Sequence, residues 1–240
     1  MRQGVQPNGH DITNTSNLHP WQRYVDLPCL RSDINRIPKA RKSKVDKKPF
    51  YSGGFVVNSL NRYVRPRPSE QTVVNQALRR ARLTINRIQA KLRNSDPETI
   101  ERVRLLFGSN ASPGGISAGL VQIKRTLFSI GRKNNIFIDP EPRGNAVAYT
   151  LCGPSASIPQ HFPFIMLQPY FFTFSHHSQA NTLIHEAAHL ALSVDDSKLE
   201  SGVTAYGLLN AIQLASEDPL KAINNADNWA LFVDGWHENF

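Results

Sequence analysis

The stretch NTLIHEAAHLAL, Asn181 to Leu192, constrains this chain more than any other part of it. Two histidines stand four residues apart, with a glutamate beside the first. On an α-helix, positions i and i+4 share a face one turn apart. His185 and His189 therefore point the same way, and their imidazoles can reach one ion at about 2.0–2.1 Å each. Glu186 projects about 100° round the helix from His185. It misses the ion but can reach a water bound to it. Two ligands plus a general base is the HExxH arrangement of zinc hydrolases. The apolar flanks imply that the helix is buried. Burying two imidazoles and a carboxylate without a partner is costly, and a metal supplies the partner. The plain alternative is a surface helix with solvated histidines.

A catalytic zinc takes a third protein ligand and leaves the fourth position to water. A third histidine on the pattern HExxHxxGxxH fits poorly, because Leu192 stands where the glycine belongs and Asp195 where the histidine belongs. A glutamate on a later helix could be Glu200 or Glu217. An aspartate from the following loop could be Asp195 or Asp196, both in SVDD.

The rest of the chain supplies a scaffold. Residues 1–68 are rich in Asn, Ser, Pro, Lys and Arg. They read as a weakly ordered basic N-terminal region, with one strand-like piece at 53–60 that could dock on the main domain. VRPRPSE closes this region, and Ser69 can cap a helix. From there the apolar spacing predicts helices over 69–93, from 96 to a stop at Gly108, and over 116–132. Short β-rich runs come next at 136–140, 146–151 and 162–168. A helix is expected over 178–194, and two more over 204–219 and 219–236, separated at Pro219. Helices, a few strands, then helices argue for an α+β domain over 69–240. The HH pair His176–His177 is expected in a solvated loop before the active helix.

From about Asp96 onward the chain resembles the aspzincin metallopeptidases, the group of deuterolysin and the lysine-specific metallo-endopeptidases. The resemblance rests on HEAAH followed by SVDD, on AYG at Ala205–Gly207, and on LASEDPLKAINNADNWALF ending at Phe232. DPETIERVRLLFG and IMLQPYFF also look familial. The family motif GTxDxxYG places its zinc-binding aspartate three residues before the tyrosine. Here Val203 holds that place and cannot bind zinc. Laying SVDD on GTxD puts Asp196 in the ligand position and leaves SKLESGVTA as an inserted loop. Asp195 and Glu200 stand as alternative ligands. The resemblance further implies a mainly helical zincin-like domain with a small β-sheet, a Zn2+ cofactor, and Tyr206 as the hydroxyl that helps bind an oxyanion. Asp227 in NADNW is expected to accept a hydrogen bond from a ligand histidine, or else to cap a helix.

The expected activity is that of a zinc endopeptidase acting on a protein or peptide substrate, with Glu186 as general base. The alternative is an inactive binding module of the same fold, with recognition carried by the basic segments. Formal net charge is +9, concentrated in RSDINRIPKARKSKVDKKPF and RRARLTINRIQAKLR. Neither stretch interleaves aromatics as single-strand binders do, so nucleic acid is not expected as a partner. No apolar run is long enough to span a membrane, and the polar N-terminus has no h-region of a signal peptide. Two cysteines, Cys29 and Cys152, fit a reduced compartment. These features suit a cytoplasmic protein. They equally suit a virulence effector secreted into a host cell by a route independent of a signal peptide.

Overall fold

The computed structural model describes residues 64–140, 146–150 and 164–234. The expectations for residues 1–63, including the strand-like piece at 53–60, fall outside the described residues, as do Cys29 and Cys152. Three helices come first: α1 (Pro68–Arg93), α2 (Pro97–Phe107) and α3 (Pro113–Lys133). Each opens with a proline, whose missing N–H costs nothing in a first turn. Asp96 caps α2 by accepting from the Thr99 N–H at 3.0 Å, and Ser112 caps α3 from Gly115 at 3.3 Å. The expected cap at Ser69 is not used. Helix α1 begins one residue earlier, at Pro68, because Glu70 reaches back to accept the Arg67 N–H at 2.7 Å.

The β-rich runs shorten to β1 (Ile136–Ile138), β2 (Ala148–Tyr149) and β3 (Ile165–Leu167). They form one sheet in the order β1-β3-β2. Strands β1 and β3 are parallel, with Ile136 opposite Ile165; β2 and β3 are antiparallel, with Ala148 opposite Leu167. A 3-10 turn (Pro169–Thr173) leads into α4 (His176–Leu192). Then come α5 (Leu208–Glu217), α6 (Pro219–Ile223) and α7 (Ala226–Asp234).

Helix α4 is the axis of the domain. It packs against α1, α3 and α7 and touches β2 and β3. Every residue from Ser178 to His189 is buried. A helix enclosed on all sides needs no strong apolar stripe, which is why polar residues run through its length. One apolar cluster surrounds it, from Val74 and Ile85 on α1 through Leu120 and Ile123 on α3 to Trp229 and Phe232 on α7. Gly119 lets this happen: a Cβ there would collide with the Trp229 ring. Trp229 also stacks obliquely on Phe107, centroids 4.9 Å apart, and donates from Nε1 to the Ile223 carbonyl at 2.9 Å. Helix α7 is thereby fixed beside α4.

Other helix boundaries also depart from the sequence expectation. His176 and His177 lie in the first turn of α4 rather than in a loop, because Ser175 accepts the Ser178 N–H at 3.1 Å and starts the helix early. His177 Nε2 sits 2.5 Å from Asp234 Oδ1, joining the start of α4 to the end of α7. Helix α5 starts at Leu208, since Thr204–Gly207 is taken up by a loop. The helix expected over 219–236 divides at Asn224–Asn225. There the backbone turns to pair with Asp195: Asp195 N–H donates to Asn224 O at 2.9 Å, and Ala226 N–H donates to Asp195 O at 3.0 Å.

Candidate metal centre

Helix α4 ends sharply, and that ending shapes the site. Ser193 adopts a left-handed conformation (φ 56°) and donates its N–H to His189 O at 3.1 Å. The chain turns back at once, and Val194 O lies 2.8 Å from His189 Nδ1. A carbonyl only accepts, so Nδ1 carries the proton and the neutral ring presents its Nε2 lone pair.

His185 Nε2 and His189 Nε2 are 3.1 Å apart. Asp196 Oδ1 lies 3.3 Å from the first and 3.4 Å from the second. Four donors placed tetrahedrally at about 2.0–2.1 Å from a zinc ion stand about 3.3–3.4 Å from one another. The three atoms thus span one face of such a tetrahedron. Asp196 Oδ1 is buried and faces the two imidazoles. Two imidazoles and a carboxylate are one of the donor sets of catalytic zinc sites, which leave the fourth position open. His185, His189 and Asp196 form a group that could hold a metal ion.

The electrostatics of the pocket call for a cation. Burial disfavours charge on His185, but the hydrogen bond and charge of Asp196, then Asp227, outweigh it and hold its pKa well above the ordinary histidine value. His189 is raised too: burial opposes the charge, and Asp196 again prevails. For Asp196, burial pushes upward, yet the two histidines hold the carboxyl far below the usual carboxylate range. Glu186 is 4 % exposed, and its burial raises its pKa against the pull of both histidines.

The other candidates separate by position. Asp227 Oδ2 accepts the Gly207 N–H at 2.7 Å, and its Oδ1 lies 3.6 Å from His185 Nδ1. It stands behind the ligand face of His185. Tyr206 places its ring 6.2 Å from that of His185, with its hydroxyl in reach of the Asp196 carboxylate. Burial, then the Asp196 charge, drives its pKa far upward, so it stays a neutral donor. Asp195 does not join the group. Its backbone pairs with Asn224 and Ala226, and its Oδ1 accepts the Asp196 N–H at 3.2 Å. Glu200 sits at an exposed turn, where its N–H donates to Glu217 Oε2 at 3.2 Å. His176 lies in the first turn of α4, away from the group, with Nδ1 3.1 Å from Gln179 Oε1.

Between Asp196 and Tyr206 the chain forms a small hairpin. Leu199 N–H donates to Val203 O at 2.9 Å and Ala205 N–H to Ser197 O at 2.8 Å. Gly202 turns the tip with φ +83°, which an L side chain would resist. Leu199 and Ala205 pack with Leu214, Ala215 and Ala222 in a small apolar cluster of their own.

The sequence profile of the family described as "lysine-specific metallo-endopeptidase" (aspzincin) matches residues 116–234. The match takes in α4, the hairpin and α7, and with them every residue of the geometric group. The chain belongs to the aspzincin family. A segment of 57 residues is 42 % identical to an extracellular protease of Aeromonas hydrophila, covering 24 % of this chain and 15 % of that protein. The chain therefore spans about 15 % of that relative's length. The fold resembles that of a zinc peptidase from Grifola frondosa, with a TM-score of 0.50 and 23 % identity over 71 % of this chain and 97 % of the other.

Within this aspzincin, the residues from Ser197 to Ala205 separate aspartate from tyrosine, and the hairpin closes that gap. Two side chains beside the site, Asn225 and Asn228, belong to NADNW, which the sequence marks only as support for the site or as helix caps. NADNW signals their presence but says nothing of what they touch. The Val194 carbonyl, which fixes the His189 tautomer, leaves no signal because any residue supplies it.

Proposed function

We propose that this chain is a zinc-dependent endopeptidase, with His185, His189 and Asp196 as ligands and Glu186 as general base. The observation that carries this reading is the convergence of three donor atoms, 3.1–3.4 Å apart, beside a buried glutamate. A bound zinc would supply Lewis-acid polarisation of the scissile carbonyl and lower the pKa of water from 15.7 toward about 7.

The chain's own residues do the rest. Glu186 takes a proton from the attacking water and delivers it to the leaving amine. Its raised pKa suits both halves of that task, since a stronger base accepts more readily near neutral pH. Tyr206 remains protonated and can donate to the oxyanion as charge develops there. Val194 O holds the His189 imidazole with Nε2 forward, and the Asp227 carboxylate flanks Nδ1 of His185. The substrate is a protein or peptide, as befits the family. No helix among the described residues is long and apolar enough to cross a membrane.

Glu186→Gln tests the reading. The variant should bind zinc one to one and lose cleavage of a denatured protein substrate. Undiminished proteolysis in that variant would overturn the proposed role.

A further inference from the structure

Asp196 and Tyr206 are ten positions apart in sequence, yet both must meet at one ion and its substrate. A hairpin with an exposed tip does not by itself hold its two ends to fractions of an ångström.

Asn225 connects them. Its side chain is completely buried. Its Oδ1 accepts the N–H of Ser197, the residue after Asp196, at 2.9 Å. Its Nδ2 donates to the carbonyl of Ala205, the residue before Tyr206, at 3.2 Å. The same Nδ2 donates to Asn228 Oδ1 at 2.6 Å. Asn228 in turn donates from Nδ2 to Leu106 O on α2 at 2.5 Å and to Ala211 O on α5 at 3.1 Å. One amide therefore grips both feet of the hairpin, and a second amide ties that grip to the helical core. Buried backbone groups that must be satisfied give such a clamp a single arrangement.

We propose that Asn225 is a positioning residue of the metal centre. It sets the spacing between the Asp196 carboxylate and the Tyr206 hydroxyl through the backbone on either side of them. Its effect on chemistry is indirect: it touches neither the ligand atoms nor the substrate. The proposal rests on the zinc peptidase reading above. It adds that the site is built before metal arrives, by an amide that no apolar side chain of the same size can replace. Asparagine fits because one acceptor and one donor must face two different backbone groups, and only a carboxamide offers both from one fixed plane.

The test compares Asn225→Leu and Asn225→Ala with Thr99→Val. Thr99 is buried on α2, where its hydroxyl bonds Asp96 within the helix cap, away from the site. The Asn225 variants should bind zinc at least about tenfold more weakly in a chelator competition, as loss of outer support does elsewhere. Their cobalt-loaded forms should show altered visible absorption, and kcat should fall more than KM rises. Thr99→Val, with a comparable drop in Tm, should keep zinc affinity within about twofold. Asn225 variants that bind zinc as the wild type does, with the same cobalt spectrum and kcat, would overturn the proposal. Should both variants fail to fold, the wild type still decides. In the metal-free protein the Ser197 amide should resist hydrogen exchange as strongly as α7 amides do, while Ser201 at the tip exchanges quickly. A Ser197 amide as labile as Ser201 would equally overturn it. A wild type that binds no zinc, yet protects Ser197, would leave the clamp standing and strike the peptidase reading instead.

Discussion

Helix α4 and the hairpin deliver donors to the same point by different means. On α4 the spacing of His185 and His189 follows from helical pitch, and burial by α1, α3 and α7 locks the helix. On the hairpin nothing local sets where Asp196 lies. Its place comes from the turn at Ser193, the backbone pairing of Asp195 with Asn224 and Ala226, and the side chain of Asn225. A regular element presents ligands through its geometry; an irregular one needs tertiary hydrogen bonds to reach the same precision. The first kind of ligand is visible in sequence. The second becomes visible only when its partners are known.

The contrast can be broken hardest at the helix. His189→Ala removes one of three donors and should abolish both zinc binding and cleavage, a loss above about 10³-fold given what a metal contributes. Dialysis followed by metal analysis checks the first and a peptide assay the second. A variant that kept its zinc would mean that α4 does not carry the site.

Glu186→Gln comes next. It keeps every ligand, so zinc should remain stoichiometric while kcat falls by about 10²–10⁴, the usual worth of a general base. Loss of zinc in this variant would assign Glu186 to the metal rather than to the water.

The hairpin is probed by three neutralisations. Asp196→Asn should weaken zinc binding beyond the roughly 10–100-fold that outer contacts command. Asp195→Asn and Glu200→Gln should change it no more than about twofold, since neither side chain meets the histidines. Equal effects at Asp195 and Asp196 would dissolve the distinction between them.

Acidity separates the two protein states. In the metal-free protein the raised pKa of His185 means that its proton stabilises the fold fully below about pH 6.5. That contribution is lost as pH rises through the raised value. Zinc needs the deprotonated ring and competes with this proton. The gain in Tm on adding zinc should therefore be small near pH 5.5 and grow toward pH 8. A gain that shrank with rising pH would contradict the shared use of His185 by proton and metal.

The smallest effect belongs to the hairpin tip. Gly202 has open space around it but a left-handed backbone. Gly202→Ala should cost about 1 kcal/mol of stability and leave zinc affinity unaltered, because the feet and not the tip are clamped. A large loss of affinity would show that the tip matters after all.

Much of the molecule is legible in the chain itself. HEAAH with apolar flanks implies a buried helix with two histidines on one face, and α4 has that form. Proline and acidic or hydroxyl caps mark α2, and apolar spacing marks α1 and α3. Asp196 is less secure. SVDD offers two adjacent carboxylates, and adjacent residues differ in direction by a turn whose φ/ψ the sequence does not print. The left-handed Ser193 and the pairing of Asp195 with α7 decide which of them faces the histidines. The break at Asn224–Asn225 is hidden for the same reason. Apolar periodicity runs straight across it, and only the demand of Asp195 for backbone partners stops the helix. His176 and His177 look like loop because two histidines carry little helical signal, while the deciding contact is the hydroxyl of Ser175.

Two helical histidines and one clamped aspartate are proposed to hold a single zinc ion. Anomalous diffraction at the zinc edge from crystals of the zinc-loaded protein tests this most directly. One strong peak is expected about 2.0–2.1 Å from His185 Nε2, His189 Nε2 and Asp196 Oδ1 together. A peak bound by Asp195 or Glu200 in place of Asp196, or no peak at these histidines, would contradict it.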